Sequence, residues 1–205
     1  MNPRTLLAYI IAGLTATVIG VLLAWTVLPR NGDIPDAGST LVLKQPRDLA
    51  ISDVLNHRNE AFNNNSLEGQ WSIIFFGFTH CPDICPNTLH QLQLATAKIK
   101  EPPTVYMVSV DPKRDALPNL SEYITSFNPE FIALRAEEAS LRPFARSMGA
   151  AYMRSEPNEQ GNYEVQHTAA VFVVNPNGKL AGYVNAPHTV DSLINAFNTI
   201  KKAYN

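Results

Sequence analysis

The chain has 205 residues, 45% of them hydrophobic, and a formal net charge of −2. No basic stripe accompanies that balance, so nucleic-acid binding has no support. Two cysteines cannot make a disulfide framework, so the fold has to rest on its core.

Leu6 to Leu28 is a run of 23 residues with no charged side chain. As a helix it would span roughly 35 Å at about 1.5 Å per residue. That crosses a hydrocarbon core of about 30 Å with some tilt. The run is long for a signal-peptide apolar region, and Val27-Leu28-Pro29-Arg30 offers no small-x-small cleavage site. Residues 1–30 therefore read as a single-pass membrane anchor. Arg4 lies before the run and Arg30, Lys44 and Arg47 after it, so a count of basic residues does not favour an inside N-terminus. A closely spaced dithiol makes most sense outside the reducing cytoplasm, and this places the remaining domain on the outer side. Residues 31–45 begin Gly/Pro/Asp-rich and read as a tether. The rest, residues 46–205, suits one domain of about 160 residues with a full core.

Within that domain, Asp48 to Leu55 and Arg58 to Ser66 read as a short hairpin, with Asn63-Asn64-Asn65 turn-like. Trp71 to Phe78 is almost wholly apolar and rich in β-formers, the pattern of a central strand buried on both faces. After two cysteines, Leu89, Leu92, Ala95 and Ile99 recur at helical spacing over Asn87 to Lys100. Val105 to Val110 reads as a second buried strand. Leu117 to Phe127 and Glu137 to Met148 read as helices around a short strand, Phe131 to Leu134. Ala169 to Val174 is another strand, followed by the turn Asn175-Pro176-Asn177-Gly178 and its hairpin partner Lys179 to Val184. Thr189 caps a final amphipathic helix reaching Tyr204. Mixed βαβ units ending in ββα imply a three-layer α/β domain with a mixed central sheet and helices on both faces.

Cys81 and Cys85 sit four residues apart where the first buried strand meets its helix. Helix N-termini carry partial positive charge that favours thiolate, the form that attacks disulfides and binds soft metals. Three intervening residues permit a disulfide and equally suit chelation of one ion between the sulfurs. Pro86 is tolerated in a first helical turn. Buried, inert cysteines are the plain alternative, against which stands the functional standing of strand-to-helix turns in α/β sheets. Two thiolates alone make a weakly specific site, so a third ligand is sought among the histidines. His57 falls in the N-terminal hairpin and reads as exposed, His90 as a surface residue of the helix, His188 as a loop or cap residue. His80 adjoins Cys81 but points away from the cysteine face. His167 differs: it precedes the strand Ala169 to Val174, and in a thioredoxin-like sheet that segment passes beside the dithiol, where thioredoxins place a cis-proline. Asp111 and Asp115 flank Pro112-Lys113-Arg114 and read as a capped turn, with an Asp111–Arg114 ion pair or a role of Asp111 near the dithiol as alternatives.

Gly77-Phe78-Thr79-His80-Cys81-Pro82-Asp83-Ile84-Cys85-Pro86 resembles the G-F/Y-T-x-C-P-D-V/I-C-P signature of Sco/SenC proteins, copper-binding assembly factors of cytochrome c oxidase. Ser109-Val110-Asp111-Pro112-Lys113-Arg114-Asp115 is similar to that family's S-V/I-D-P-x-R-D segment. Val165-Gln166-His167-Thr168 with Asn175-Pro176-Asn177-Gly178 resembles its V-D-H-S/T and D-P-x-G. The resemblance covers roughly Ser66 to Lys201. It implies a thioredoxin-like fold and one copper ion per chain on Cys81, Cys85 and His167. Gln166 and Asn175 depart from the family's aspartates, and loss of the carboxylate beside His167 is expected to alter the ring's orientation or basicity. Two thiolates plus imidazole suit Cu(I), or Cu(II) with a weak further ligand, whereas structural zinc wants four good ligands.

The resemblance implies a copper chaperone rather than an enzyme, in a family found in bacterial cytoplasmic and mitochondrial inner membranes; with no Arg-rich, Ser-rich transit segment before Leu6, the chain reads as anchored in a bacterial cytoplasmic membrane and facing the periplasm. Its partners would be the copper-acceptor subunit of a respiratory oxidase and a copper-donor chaperone. A thiol–disulfide oxidoreductase, with Cys81 attacking and Cys85 resolving, is the competing reading. A peroxidase or redox sensor is weaker, since neither cysteine has an obvious adjacent base.

Overall fold

The computed structural model describes residues 2, 3, 13, 15–18 and 39–204. The chain divides into two units, Met1–Asp36 and Ala37–Asn205. Most of the expected anchor lies outside the described residues, and among them no helix is long and apolar enough to cross a membrane.

The strands are β1 (Thr40–Arg47), β2 (Val54–Asn56), β3 (Ala61–Phe62), β4 (Ser72–Gly77), β5 (Thr104–Ser109), β6 (Ile132–Ala136), β7 (Tyr152–Arg154), β8 (Val165–His167), β9 (Val171–Val174) and β10 (Leu180–Val184). The helices are α1 (Ile84–Thr96), α2 (Leu117–Phe127), α3 (Glu138–Met148) and α4 (Val190–Ala203), with a 3-10 turn at Asn64–Leu67. Eight strands form one mixed sheet in the order β1-β10-β9-β4-β5-β6-β2-β3. The βα crossovers make β4, β5 and β6 parallel, and the remaining pairs are antiparallel. Every residue of β4 is buried. Successive strand side chains point to opposite faces, so both faces of the sheet are covered at its centre. Ile73, Phe75, Met107 and Val173 belong to the resulting core.

Several boundaries differ from the sequence reading. The C-terminal part of the expected tether is β1, an edge strand paired with β10. The N-terminal hairpin is shorter than expected, Val54–Asn56 with Ala61–Phe62, and its turn runs over His57 to Glu60, before the turn-like Asn63-Asn64-Asn65. Asn59 takes the left-handed conformation there, and the Asn56 side chain accepts from the Arg58 and Glu60 amides. The asparagines instead start the 3-10 turn, with Asn63 and Ser66 forming its capping box. His57 is buried, not exposed: its Nδ1 accepts from the Ala133 amide at 3.1 Å. β7 and β8 form a separate two-stranded ribbon that the sequence reading lacked. The Thr189 cap is present as a capping box with Ser192.

Candidate metal-binding site

β4 delivers the chain to the site and stops at Gly77. A Cβ there would lie 2.7 Å from Phe75 Cε1 and 3.2 Å from Cys85 Sγ. Only glycine therefore lets the Cys85 sulfur rest against the strand end. The Cys81 amide donates to the Phe78 carbonyl at 3.3 Å, closing a turn that brings both sulfurs to the start of α1. Cys81 Sγ accepts from the Cys85 amide at 3.4 Å, one of the free N–H groups of a helix start. Cys81 is partly accessible and Cys85 is buried.

His167 ends β8 and brings its ring to the dithiol from a segment 82 residues away, with Nε2 3.4 Å from Cys85 Sγ. Ligand atoms of Cys81, Cys85 and His167 all lie within 4.8 Å of one another. His167 Nδ1 is 3.0 Å from the Thr168 carbonyl oxygen. A carbonyl can only accept, so the proton sits on Nδ1 and the Nε2 lone pair faces the sulfur. Phe75 and Phe78 meet the imidazole edge-on at 6.1 and 5.8 Å and hold its plane. Burial lowers the His167 pKa, which keeps the ring neutral at pH 7.

One expectation is corrected. Cys85 does not gain thiolate character from the helix start: burial, and then the Cys81 side chain, push its pKa up. Gln166 is exposed, and the His167 ring is oriented by a backbone carbonyl.

The carboxylate beneath the cysteine loop is Asp115 rather than Asp111. Fully buried, Asp115 accepts from the Thr79 amide (3.2 Å), the Thr79 hydroxyl (2.6 Å) and the Ser109 hydroxyl (2.6 Å). Asp111 is also buried and forms the expected ion pair with Arg114. It further accepts from the Tyr163 hydroxyl at 2.7 Å, while the Arg114 guanidinium stacks 4.0 Å from the Tyr163 ring. That cluster ties the loop before β8 to the end of β5. Arg154 on β7 joins it, donating to the Val110 carbonyl at 2.7 Å and pairing with Glu138 at 2.9 Å.

Of the other histidines, His80 is half-exposed and leans on Thr79, and His90 is exposed. His188 is buried with Nε2 2.8 Å from the Ala169 carbonyl, so it braces the segment after His167 rather than sitting in an open loop. Tyr123 of α2 escaped the sequence reading. Its hydroxyl is buried without a partner, and burial, followed by the charges of Cys85 and Cys81, pushes its pKa up. Nothing in a helical repeat marks such a residue in advance.

Comparison with known proteins agrees with this geometry. The SCO1/SenC family model matches residues 52–202. A Stutzerimonas stutzeri protein named for copper binding is 30% identical over 170 residues, covering 81% of this chain and 82% of that protein. The mitochondrial SCO1 homolog 1 of Arabidopsis thaliana is 39% identical over 132 residues, 62% of this chain but only 39% of that protein's length. The crystal structure of Arabidopsis thaliana ScoI with copper bound superposes with a TM-score of 0.67 at 33% identity, over 74% of this chain and 94% of that one. With its mixed, thioredoxin-like sheet and a family match running from before β2 into α4, the chain belongs to the SCO1/SenC family.

Proposed function

We propose that the chain is a copper carrier for assembly of a respiratory oxidase. Cys81, Cys85 and His167 hold one copper ion, and the copper centre of a cytochrome c oxidase receives it. The observation that carries this reading is the convergence of two sulfurs and one neutral imidazole nitrogen within 4.8 Å. Two soft sulfur donors with imidazole match copper better than harder metals. The related Arabidopsis ScoI crystal structure has copper bound, and the Stutzerimonas relative is named for copper binding. The apolar run over residues 6–28 supports a membrane anchor. The redox demands of a dithiol support an outward, periplasmic domain that takes copper from a donor chaperone.

The residues divide the work simply. Loading displaces the thiol protons of Cys81 and Cys85, while His167 needs no deprotonation because burial already keeps it neutral. Transfer is ligand exchange: each bond from copper to this chain is replaced by one to the acceptor. The acceptor's thiols release protons, Cys81 and Cys85 take protons up, and the copper keeps its oxidation state. As a resolving thiol in a reductase, Cys85 would be slow, since it is buried with a raised pKa.

The test is copper content of the reduced full chain, with one ion per chain expected. His167→Ala should lose most copper affinity yet still form the Cys81–Cys85 disulfide. Undiminished copper binding by that variant would refute the three-donor site. Rescue of oxidase assembly by a copper-dead, redox-competent variant would favour the reductase instead.

A further inference from the structure

The ribbon beside the metal-binding residues has an open edge. Ser155 N–H donates to Glu164 O at 2.9 Å and Thr168 N–H to Ala151 O at 2.8 Å. In an antiparallel pair, hydrogen-bonded and non-bonded pairs alternate. With Met153 opposite Gln166, the bonded pairs are 151/168, 153/166 and 155/164. The main-chain N–H and C=O groups of Val165 and His167 therefore point away from β7, and among the described residues β8 pairs with no other strand. Beside β8 lies a cavity of ≈ 290 Å³, walled by Phe78, Pro82 and Val165 together with polar and charged groups, His80, Arg114 and Glu164 among them. His80 and Pro82 flank Cys81, and Val165 is two residues from His167. Two of the large apolar side chains left exposed among the described residues belong to this region: Ile84, between the cysteines, is 48% exposed, and Met153, across from Gln166, is 66% exposed.

We infer that the β8 edge is the docking site for the protein that exchanges copper. An extended segment of that partner adds as a third strand along Val165 to His167 and presents a cysteine or methionine sulfur to the metal. The occupant follows from the chemistry on offer. Two donors and two acceptors at strand spacing are complementary to another extended main chain, not to a helix face or a small anion. Alternate side chains of the added strand would face the cavity or the metal, so a soft donor and its apolar neighbours are delivered in one register. The other edge strands are β7 of the ribbon and β1 and β3 of the large sheet, whereas β8 carries a metal-binding residue itself.

This inference rests on the copper reading, and the experiment separates the two. The full chain is loaded with copper and its metal content measured. It is then mixed with the reduced, metal-free copper-site domain of a respiratory oxidase subunit, and amide exchange is followed by NMR. In the free protein the Val165 and His167 amides should exchange fast and the Gln166 amide slowly. In the presence of the acceptor, protection should appear at Val165 and His167 alone. Val165→Pro removes one outward N–H and none of the β7 ladder, a placement edge strands tolerate. It should keep the parent's copper content and slow transfer by about tenfold. Transfer at the parent's rate in Val165→Pro, or copper movement with no protection at Val165 and His167, would overturn the docking edge while leaving the carrier reading intact. A parent chain that takes up no copper would overturn the carrier reading itself, and this inference with it.

Discussion

Gly77 decides how closely a sulfur approaches the sheet. Gly77→Ala places a methyl 2.7 Å from Phe75 Cε1 and 3.2 Å from Cys85 Sγ. Overpacking of that kind costs about 1–3 kcal/mol. Urea unfolding should show the loss, and copper stoichiometry should fall with it; a variant as stable as the parent would mean the sulfur has room to retreat. The two cysteines should also differ in reactivity. Cys85 is buried and its pKa is pushed up, so iodoacetamide at neutral pH should label Cys81 first in the reduced, metal-free chain. Peptide mass spectrometry after brief labelling checks this, and equal labelling would contradict the buried placement. At position 166 the side chain is exposed, and the His167 ring meets the Thr168 carbonyl instead. Replacing a side chain that orients a metal-binding histidine typically changes affinity by about 10–100-fold. Because the Thr168 carbonyl orients His167, Gln166→Asp should shift copper affinity by less than about tenfold in a chelator competition.

Among the elements, the link from β4 to α1 is held by one buried carboxylate. Removing it in Asp115→Ala leaves the Thr79 amide and the Ser109 hydroxyl without this acceptor, and the Thr79 hydroxyl with His80 Nδ1 as its remaining partner. Stranding the buried Ser109 hydroxyl costs about 1–3 kcal/mol. A large fall in the urea midpoint is expected, together with weaker copper binding, and retention of both would show that the loop is held by its own turn. The legibility of these elements in the sequence follows their burial. β4, β5 and β9 are buried on both faces and read as unbroken apolar runs. The last helix announced itself through Thr189. Most of β1 lies in the stretch that reads as tether, because an edge strand half in water carries Lys44, Gln45 and Arg47 among its apolar residues. β7 and β8 are three residues each and too short for any alternation to register. Their order comes from long-range contacts, Asp111 with Tyr163 and Arg154 with Val110, which no local pattern encodes. The dithiol and His167 were legible from motif and topology, whereas the roles of Asp115, Tyr163 and the Thr168 carbonyl were not, since each acts through a partner distant in sequence or through backbone.

At the scale of the whole molecule, three imidazoles are folded in as neutral groups. Burial lowers the pKa of His57, His167 and His188 from the ordinary value of 6.5. The unfolded chain then binds more protons than the folded one as pH falls through 6.5, so stability present at neutral pH is lost on acidification. The urea midpoint of the metal-free chain should be lower at pH 5 than at pH 7, with His188→Gln flattening the dependence. A midpoint that does not move would mean these rings are protonated within the fold. The 82-residue separation of Cys85 and His167 has a further consequence under the copper reading. A metal joining them is a removable cross-link that ties the first βα unit to the ribbon before β9, and whatever binds only the folded state stabilises it in proportion to its occupancy. Cargo status is thereby written into the carrier's resistance to proteases: a copy that has just handed over its ion is also the copy most easily opened and cleared.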